Sequence, residues 1–292
     1  MILVEIFKSL RPQQWIKNLF IFAPLIFSQN VLNRSLLLQT IEAFIAFCLV
    51  SSSHYVFNDL KDLEEDKLHP VKSRRPLASG RLKKPPAAAA VVVLGLAGVA
   101  LALAINWYFF MAVLAYFVLQ VAYSLWLKHV VILDIFVIAA GFLIRVVAGG
   151  LAIQVDISNW LLICTILLSL FLAMGKRRHE LVLLDRSAMS HRPILKEYNT
   201  YLLDQMIAVV TASTLLAYCL YTISEETVAK FGTTKLIYTI PFVLYGIFRY
   251  LYLIHQKAEG GSPEALIIKD KPLLIDTFLW ILAAIIILGT RK

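Results

Sequence analysis

Long apolar stretches dominate this sequence and restrict the folds that it can adopt. A helix of about 20 apolar residues crosses the roughly 30 Å hydrocarbon core of a bilayer. Such stretches occur at 16–33, 36–57, 86–105, 107–127, 131–153, 158–175, 201–223, 236–255 and 272–290. The hydrophobic share of 60% and the mean hydropathy of +0.76 exceed what soluble domains show. The sequence therefore predicts an all-α fold, a polytopic membrane helical bundle with about nine transmembrane helices, as a single domain over 1–292.

Basic residues are distributed unequally between the loops. Most of the 28 Lys and Arg fall in the N-terminal segment and in the loops 58–85, 176–200 and 256–271. By the positive-inside rule, the N-terminus is cytoplasmic and the C-terminus lies outside. The opening residues carry no evident cleavable signal peptide. We expect an integral protein of a bacterial-type inner membrane whose active site faces the cytoplasm. The net charge of +9 lies mainly at that face, which favours lipid or substrate phosphates over nucleic acid as partners.

An acidic motif, "NDLKDLEED", follows the second apolar stretch. If the helix continues, Asp59, Asp62 and Asp66 fall within an arc of about 60°, and Glu64 lies on the far side. Carboxylates this close repel one another unless a cation lies between them, and oxygen ligands suit Mg²⁺. We predict the three aspartates as catalytic residues and, together with Asn58, as metal ligands. The alternative is a solvated acidic helix end that neighbouring lysines balance.

A basic segment, "HPVKSRRPLASGRL", comes next. Arg75-Pro76 and Ser79-Gly80 bracket a predicted turn. An arginine can grip a phosphate with two parallel donors, so Arg75 is a candidate phosphate ligand. Anchoring at the cytoplasmic membrane face is the alternative, and it is the interpretation that we keep for Lys83 and Lys84.

Three ionisable residues flank or enter the fifth apolar stretch. Lys128 lies at its edge, and Asp134 and Arg145 lie inside it. Ionisable groups at membrane depth are energetically expensive and commonly face a polar cavity. Asp134 and Arg145 are about 16 Å apart on an ideal helix, too far for a direct pair. Each therefore needs another partner, although a structural pair between helices is the alternative.

The sixth stretch ends in "GKRRHEL". Lys176 and Arg177 belong to a basic run that is typical of a stop-transfer cluster. Glu180 either pairs with Lys176 or helps to hold a second cation. The sequence has no HExxH, no GxxxxGK[ST] phosphate loop and no GxSxG, so zinc and nucleophilic serine chemistry have no support.

Together these motifs resemble the UbiA superfamily of intramembrane prenyltransferases. The resemblance rests on Asn58-Asp59 with Asp62 and Asp66, on "RRPLASGR", and on Lys128 and Asp134. It implies that a Mg²⁺-bound diphosphate leaves an allylic carbon and that an aromatic acceptor captures the cation. Many members have a second aspartate four residues after the first in a DxxxD motif. This chain has Ile138 at that position.

Four further segments are similar to the branch of that superfamily that transfers phosphoribose: "RPQQWIKNLFIFAPLIF", "LDIFVIAAGFLIRVVAGG", "KRRHEL" and "EGGSPEALIIKDKPLL". The resemblance implies a 5-phosphoribosyl diphosphate donor, a decaprenyl-phosphate-like polyprenyl phosphate acceptor, a Mg²⁺ cofactor and a role in cell-envelope biosynthesis. A homo-oligomer is compatible with it. The residues expected to bind substrate are Lys17, Asn58, Arg75, Lys128, Arg145, Lys176, Arg177, Glu180 and Tyr198, and Asp134 joins the three aspartates as catalytic.

Two other functions stay open. A UbiA-type prenyltransferase would move a polyprenyl group from its diphosphate to an aromatic or other lipid acceptor, which Ile138 argues against. A transporter or channel would distribute its charges through the bilayer depth. The charges here gather at one face.

Overall fold

A computed structural model describes residues 2–68, 71–184, 193–257, 260–261, 266 and 269–289. The described residues contain helices and no strand, which confirms the predicted all-α class. The chain divides into two compact units, residues 1–157 and 158–292. The expectation of a single domain over 1–292 stays a prediction.

The described part of the first unit contains seven α-helices. They are α1 (Ile2–Ser9), α2 (Ala23–Phe27), α3 (Arg34–Lys61), α4 (Leu63–Leu68), α5 (Lys84–Ile105), α6 (Trp107–Leu125) and α7 (Leu133–Ile153). Short 3₁₀ helices at Lys72–Arg74 and Leu127–His129, and a longer one at Pro12–Phe22, connect them.

The described part of the second unit contains five α-helices. They are α8 (Asn159–Leu184), α9 (Thr200–Ile223), α10 (Glu225–Phe231), α11 (Ile240–Gln256) and α12 (Lys271–Gly289). The 3₁₀ helices Pro193–Glu197 and Lys235–Thr239 precede α9 and α11 respectively.

Eight helices of the described chain are long and apolar enough to cross a membrane. They match eight of the nine predicted stretches, and the first stretch, 16–33, is the exception. There the chain forms the Pro12–Phe22 3₁₀ helix and then the five-residue α2. Pro24 explains the break, because its ring clashes with the carbonyl four residues earlier in a continuous α-helix. The orientation of the two termini stays a prediction.

The helix α3 carries the acidic motif at its C-terminal end. Its 28 residues extend about 42 Å, which is longer than the hydrocarbon core of about 30 Å. The helix was expected to run on to Asp66, but it ends at Lys61, and α4 starts at Leu63. Asp62 caps α3, and the backbone bonds from Asp62 N to Asn58 O (2.9 Å) and from Asp66 N to Asp62 O (2.8 Å) preserve the turn.

Two apolar clusters hold the first unit together. The larger one joins α2, α3, α5, α6 and α7 with the Pro12–Phe22 3₁₀ helix. The smaller one joins α1, α3, α4, the 72–82 segment and the start of α5. Gly149 lets α7 approach the 3₁₀ helix closely, because a Cβ at this position would lie 2.1 Å from the Ile21 carbonyl oxygen. The N-terminal segment is therefore packed directly on the bundle.

Candidate functional site

The acidic motif forms a buried ion-pair cluster in the first unit. Asp59 and Asp66 are each 2% exposed. One guanidinium nitrogen of Arg75, Nη1, lies 3.1 Å from Asp59 Oδ1 and also contacts Asp66 Oδ2. The predicted turn places Arg75 there, since Ser79 N bonds Arg75 O and Leu82 N bonds Pro76 O, both at 2.9 Å. Two carboxylates thus lie within reach of a single positive charge.

Arg11 is a second cation of this cluster, and the sequence analysis missed it. Its Nη2 contacts Asp59 Oδ1, and its guanidinium lies 5.3 Å from the centre of the Tyr55 ring. Its backbone is left-handed, with φ 54°, where the chain enters the 3₁₀ helix at Pro12. Burial lowers the pKa of Arg11, and the charge of Asp59 opposes that shift. The sequence signal that could have identified Arg11 is its position directly before Pro12, in a segment that already resembles the family.

Asp62 has a different set of partners. Lys128 Nζ lies 3.1 Å from Asp62 Oδ1, and Asn58 Nδ2 donates to Asp62 Oδ2 at 3.0 Å. The amide oxygen of Asn58, Oδ1, accepts a hydrogen bond from Ser124 Oγ at 3.0 Å. Asp62 therefore faces Lys128, whereas Asp59 and Asp66 share Arg75.

The three predicted catalytic aspartates do not converge on one point. Within the described ranges, no group of three His, Cys, Asp or Glu side chains is arranged to hold a metal. The carboxylates contact cations instead: Arg11, Lys72 and Arg75 lie against the pair formed by Asp59 and Asp66, and Lys128 lies against Asp62. The donor set is still composed of oxygens, from three carboxylates and one amide. Two of the carboxylates already share one cationic nitrogen, so these residues fit a hard divalent cation.

Lys128 and Asp134 are not on one continuous helix. Lys128 lies in the Leu127–His129 3₁₀ helix, Ile132 has a positive φ of 70°, and α7 starts at Leu133. The break separates the two residues and leaves Lys128 beside Asp62, which lies 66 residues earlier in the chain. Asp134 is fully buried in the first turn of α7, and its predicted catalytic role stays a prediction.

Arg145 is engaged by the protein itself. It is 3% exposed, and it donates to Asn18 Oδ1 (2.8 Å), Tyr116 Oη (2.8 Å) and Gly141 O (2.7 Å). Asp134 is not among these partners, which agrees with the prediction that the two residues are too far apart for a direct pair. Arg145 therefore joins the 3₁₀ helix to α7, and its predicted contact with a phosphate stays a prediction. Lys17, next to Asn18 on the same 3₁₀ helix, is partly buried, and its predicted substrate contact stays a prediction.

The second unit contains the cations that follow the sixth apolar stretch. The helix α8 continues to Leu184, past the predicted end at residue 175, so Lys176, Arg177 and Glu180 are helical. Arg177 is buried, and its Nη1 donates to Glu180 Oε2 at 2.8 Å. An ion pair at Glu180 was one of the two predicted alternatives, with Lys176 as the expected partner. Tyr198 is buried just after the Pro193–Glu197 3₁₀ helix.

A further ion-pair group in this unit was not predicted. Arg178 Nε lies 2.6 Å from Asp204 Oδ1, and His255 Nε2 lies 3.2 Å from the same oxygen. It connects α8, α9 and α11. Nearby, Gly261 packs on His179, where a Cβ would lie 2.6 Å from the ring nitrogen Nε2. The close packing gives a physical reason for the Gly-Gly pair in the "EGGSPE" segment, most of which lies outside the described residues.

Comparison with known proteins places the chain in a family. The UbiA prenyltransferase family matches residues 19–282. The decaprenyl-phosphate phosphoribosyltransferase of Mycolicibacterium smegmatis is 34% identical over 289 residues, which cover 94% of this chain and 89% of the relative. The enzyme of the same name from Corynebacterium glutamicum is 31% identical over 288 residues, with 94% and 83% covered.

The fold also has solved counterparts. A UbiA homolog from Archaeoglobus fulgidus, bound to GPP and Mg²⁺, matches with a TM-score of 0.72 over 98% of this chain and all of its own. At 18% identity this likeness establishes the fold alone. Eight helices among the described residues are long and apolar enough to cross a membrane; the chain is an integral membrane protein, and it belongs to the UbiA prenyltransferase family.

Proposed function

We propose that this protein transfers 5-phosphoribose from 5-phosphoribosyl diphosphate to a membrane polyprenyl phosphate and releases diphosphate in a Mg²⁺-dependent reaction. The observation that carries the proposal is the contact of one Arg75 nitrogen with both Asp59 and Asp66. It places a cation between two buried carboxylates at the end of a membrane-spanning helix. The names of the two bacterial relatives support the same donor and acceptor classes.

The residues that would hold Mg²⁺ are Asn58, Asp59, Asp62 and Asp66. When bound, the ion supplies charge neutralisation for the leaving diphosphate. Oxygen donors of this kind commonly bind Mg²⁺ together with substrate phosphates. The set therefore suits a donor that brings a diphosphate of its own.

The basic side chains of the cluster can serve two purposes in turn. Arg11 and Arg75 neutralise Asp59, and Lys128 neutralises Asp62. If a metal ion were bound by these carboxylates, the same cations would become available for phosphate oxygens. Guanidinium groups bind phosphates through paired hydrogen bonds, so Arg11 and Arg75 are the residues that we assign to the diphosphate of the donor.

The bond changes need few proton transfers. The bond between C1 of the ribose and the diphosphate oxygen breaks, and its electron pair leaves with the diphosphate. An oxygen of the acceptor phosphate donates a lone pair to C1 and forms the new bond. Because a phosphate monoester is ionised at neutral pH, the acceptor needs no strong general base. The protein's tasks are to orient both substrates and to stabilise negative charge.

The membrane setting follows from the same proposal. The polyprenyl tail would stay in the lipid while its phosphate meets the polar ends of the helices. The distribution of Lys and Arg supports a site at the cytoplasmic face of a bacterial inner membrane. A homo-oligomer stays a prediction.

The alternative function is prenyl transfer, which is supported by a structural neighbour bound to GPP and Mg²⁺. The preferred donor distinguishes the two functions. Purified protein would be melted with Mg²⁺ and either 5-phosphoribosyl diphosphate or geranyl diphosphate. We expect the sugar diphosphate to raise the melting temperature and Asp66→Asn to abolish that increase. An increase with geranyl diphosphate alone would favour prenyl transfer.

A further inference from the structure

The helix α1 (Ile2–Ser9) has a broad apolar arc, and among the described residues the protein covers mainly one side of it. Ile6 on this helix, and Leu10 just after it, pack on the smaller apolar cluster. Leu3, Val4 and Phe7 fall within about 100° of arc on another side. Leu3 is 77% exposed, and Val4 and Phe7 are each 56% exposed. Phe7 also meets the Trp15 ring edge-on, with ring centroids 6.4 Å apart. A short helix therefore presents three large apolar side chains that are each more than half exposed.

The packing of α1 sets its level relative to the membrane-spanning helices. The cluster beneath it contains Val56, near the end of α3, and Ala87, in the first turn of α5. Val91, one turn further along α5, packs on the same cluster. The helix thus lies beside the ends of two helices that are long and apolar enough to span a membrane. The boundary between hydrocarbon and headgroups is expected near such helix ends. An apolar face at this level is the geometry of an interfacial membrane helix.

Two basic side chains form ion pairs with Glu5 of this helix. Arg81 Nε lies 3.6 Å from Glu5 Oε2, and Lys8 Nζ lies 2.7 Å from Glu5 Oε1. The contact with Glu5 links α1 to the basic 72–84 segment. Arg74, Arg81, Lys83 and Lys84 in that segment are all exposed. Clustered Lys and Arg beside the bilayer attract anionic headgroups more strongly than zwitterionic ones.

We propose that α1 and the 72–84 segment form one surface that binds anionic lipid headgroups, with Leu3, Val4 and Phe7 inserted at the acyl boundary. Charge complementarity and the position of α1 at the ends of α3 and α5 commit the surface to lipid rather than to another protein. The inference goes beyond group transfer. The same segment continues through Leu10 to Arg11, which contacts Asp59, so lipid docking holds a member of the acidic cluster in place.

The test uses the full chain in nanodiscs of phosphatidylcholine, with and without phosphatidylglycerol. We expect phosphatidylglycerol to raise the melting temperature by at least about 2 °C. The double variants L3Q/V4Q and K83Q/K84Q should each lose most of that increase. The matched control is L32Q, because Leu32 is 98% exposed and precedes α3, far along that helix from its acidic end. The control should keep the full increase.

Direct contact with lipid is read out separately. A tryptophan introduced as Leu3→Trp should add fluorescence that brominated phosphatidylcholine quenches, relative to the wild-type chain in the same nanodiscs. Equal melting temperatures in both lipid compositions, or no additional quenching, would overturn the proposal. Concentration-dependent dimers that L3Q/V4Q abolishes would assign the face to a second copy instead.

Discussion

Arg145 Nε donates a 2.8 Å hydrogen bond to Asn18 Oδ1 and so joins α7 to the 3₁₀ helix that lies 127 residues earlier in the chain. Asn18 is itself buried, and its amide donates to Ser51 Oγ at 3.1 Å. Tyr116 accepts a second bond from Arg145 and lies under its guanidinium. A charge at membrane depth is thus held by neutral partners and by two aromatic rings, those of Tyr116 and Phe142, in a cation–π arrangement. It serves to position the segment that carries Arg11 and Lys17.

Replacing Arg145 by Met should destabilise the protein by about 2–4 kcal/mol, because Asn18 and Tyr116 lose a buried partner. Thermal or denaturant unfolding of the purified protein in detergent measures this loss. Arg34, which is exposed at the start of α3, provides the matched control, and R34M should change stability by less than about 0.5 kcal/mol.

A double-mutant cycle tests whether Arg145 stabilises the protein through its contact with Asn18. If Arg145 acts through Asn18, the losses of R145M and N18L overlap, and the double variant is little worse than either single one. Fully additive losses would contradict the positioning role, and a selective rise of the donor KM in R145K with unchanged stability would restore a phosphate contact.

Asp66→Asn should reduce turnover at least about 100-fold, because it removes one of the two carboxylates that share Arg75. The folded protein should persist, as size-exclusion chromatography would show. Glu64 is the matched control, since it lies two residues away, is exposed and pairs with Lys67. E64Q should keep near-normal activity. Full activity in D66N would remove Asp66 from the metal ligands.

Lys128→Met should raise the KM for the donor by about tenfold, since one charge-assisted hydrogen bond to phosphate has about that effect. We expect kcat to change less than KM, because Lys128 faces Asp62 rather than the reacting carbon. Steady-state kinetics with varied donor separates the two constants. K235M, which removes an exposed lysine of the second unit, should leave both constants unchanged. An unaltered KM in K128M would limit Lys128 to neutralising Asp62.

The Arg249–Asp270 pair should make stability depend on pH. Arg249 donates to Asp270 Oδ1 at 3.1 Å and to Oδ2 at 2.8 Å, and these bonds hold the pKa of Asp270 below its ordinary value. A lowered pKa stabilises the fold above the ordinary value for Asp, and the gain disappears as the pH falls through the folded pKa. The difference in melting temperature between wild type and D270N should therefore be constant above about pH 5 and shrink below about pH 4. A difference that does not vary with pH would contradict this.

The sequence predicted the membrane helices well because their signal is local. An unbroken apolar run such as 86–105 forms a helix wherever it lies in a bilayer, since its backbone must bond internally. The first stretch failed because Pro24 and the buried polar side chain of Asn18 interrupt it. The contacts of Asn18 with Ser51 and Arg145 are tertiary and leave no periodic pattern.

The candidate site was predictable in its residue types and less so in its pairings. Spacing along a helix correctly brought Asp59 and Asp66 together. It could not show that Lys128 meets Asp62 across 66 residues, because a positive φ at Ile132 redirects the chain. Arg11 was missed for a similar reason, since only the fold brings the N-terminal segment to the end of α3.

The most direct test is transfer itself. Purified protein would be incubated with Mg²⁺, a polyprenyl phosphate in detergent, and 5-phosphoribosyl diphosphate labelled in the ribose, with D66N in parallel. We predict a labelled product that extracts into organic solvent, with diphosphate released in equal amount, and neither product with D66N. Diphosphate release without lipid-extractable label, or no reaction with any polyprenyl phosphate, would contradict phosphoribosyl transfer.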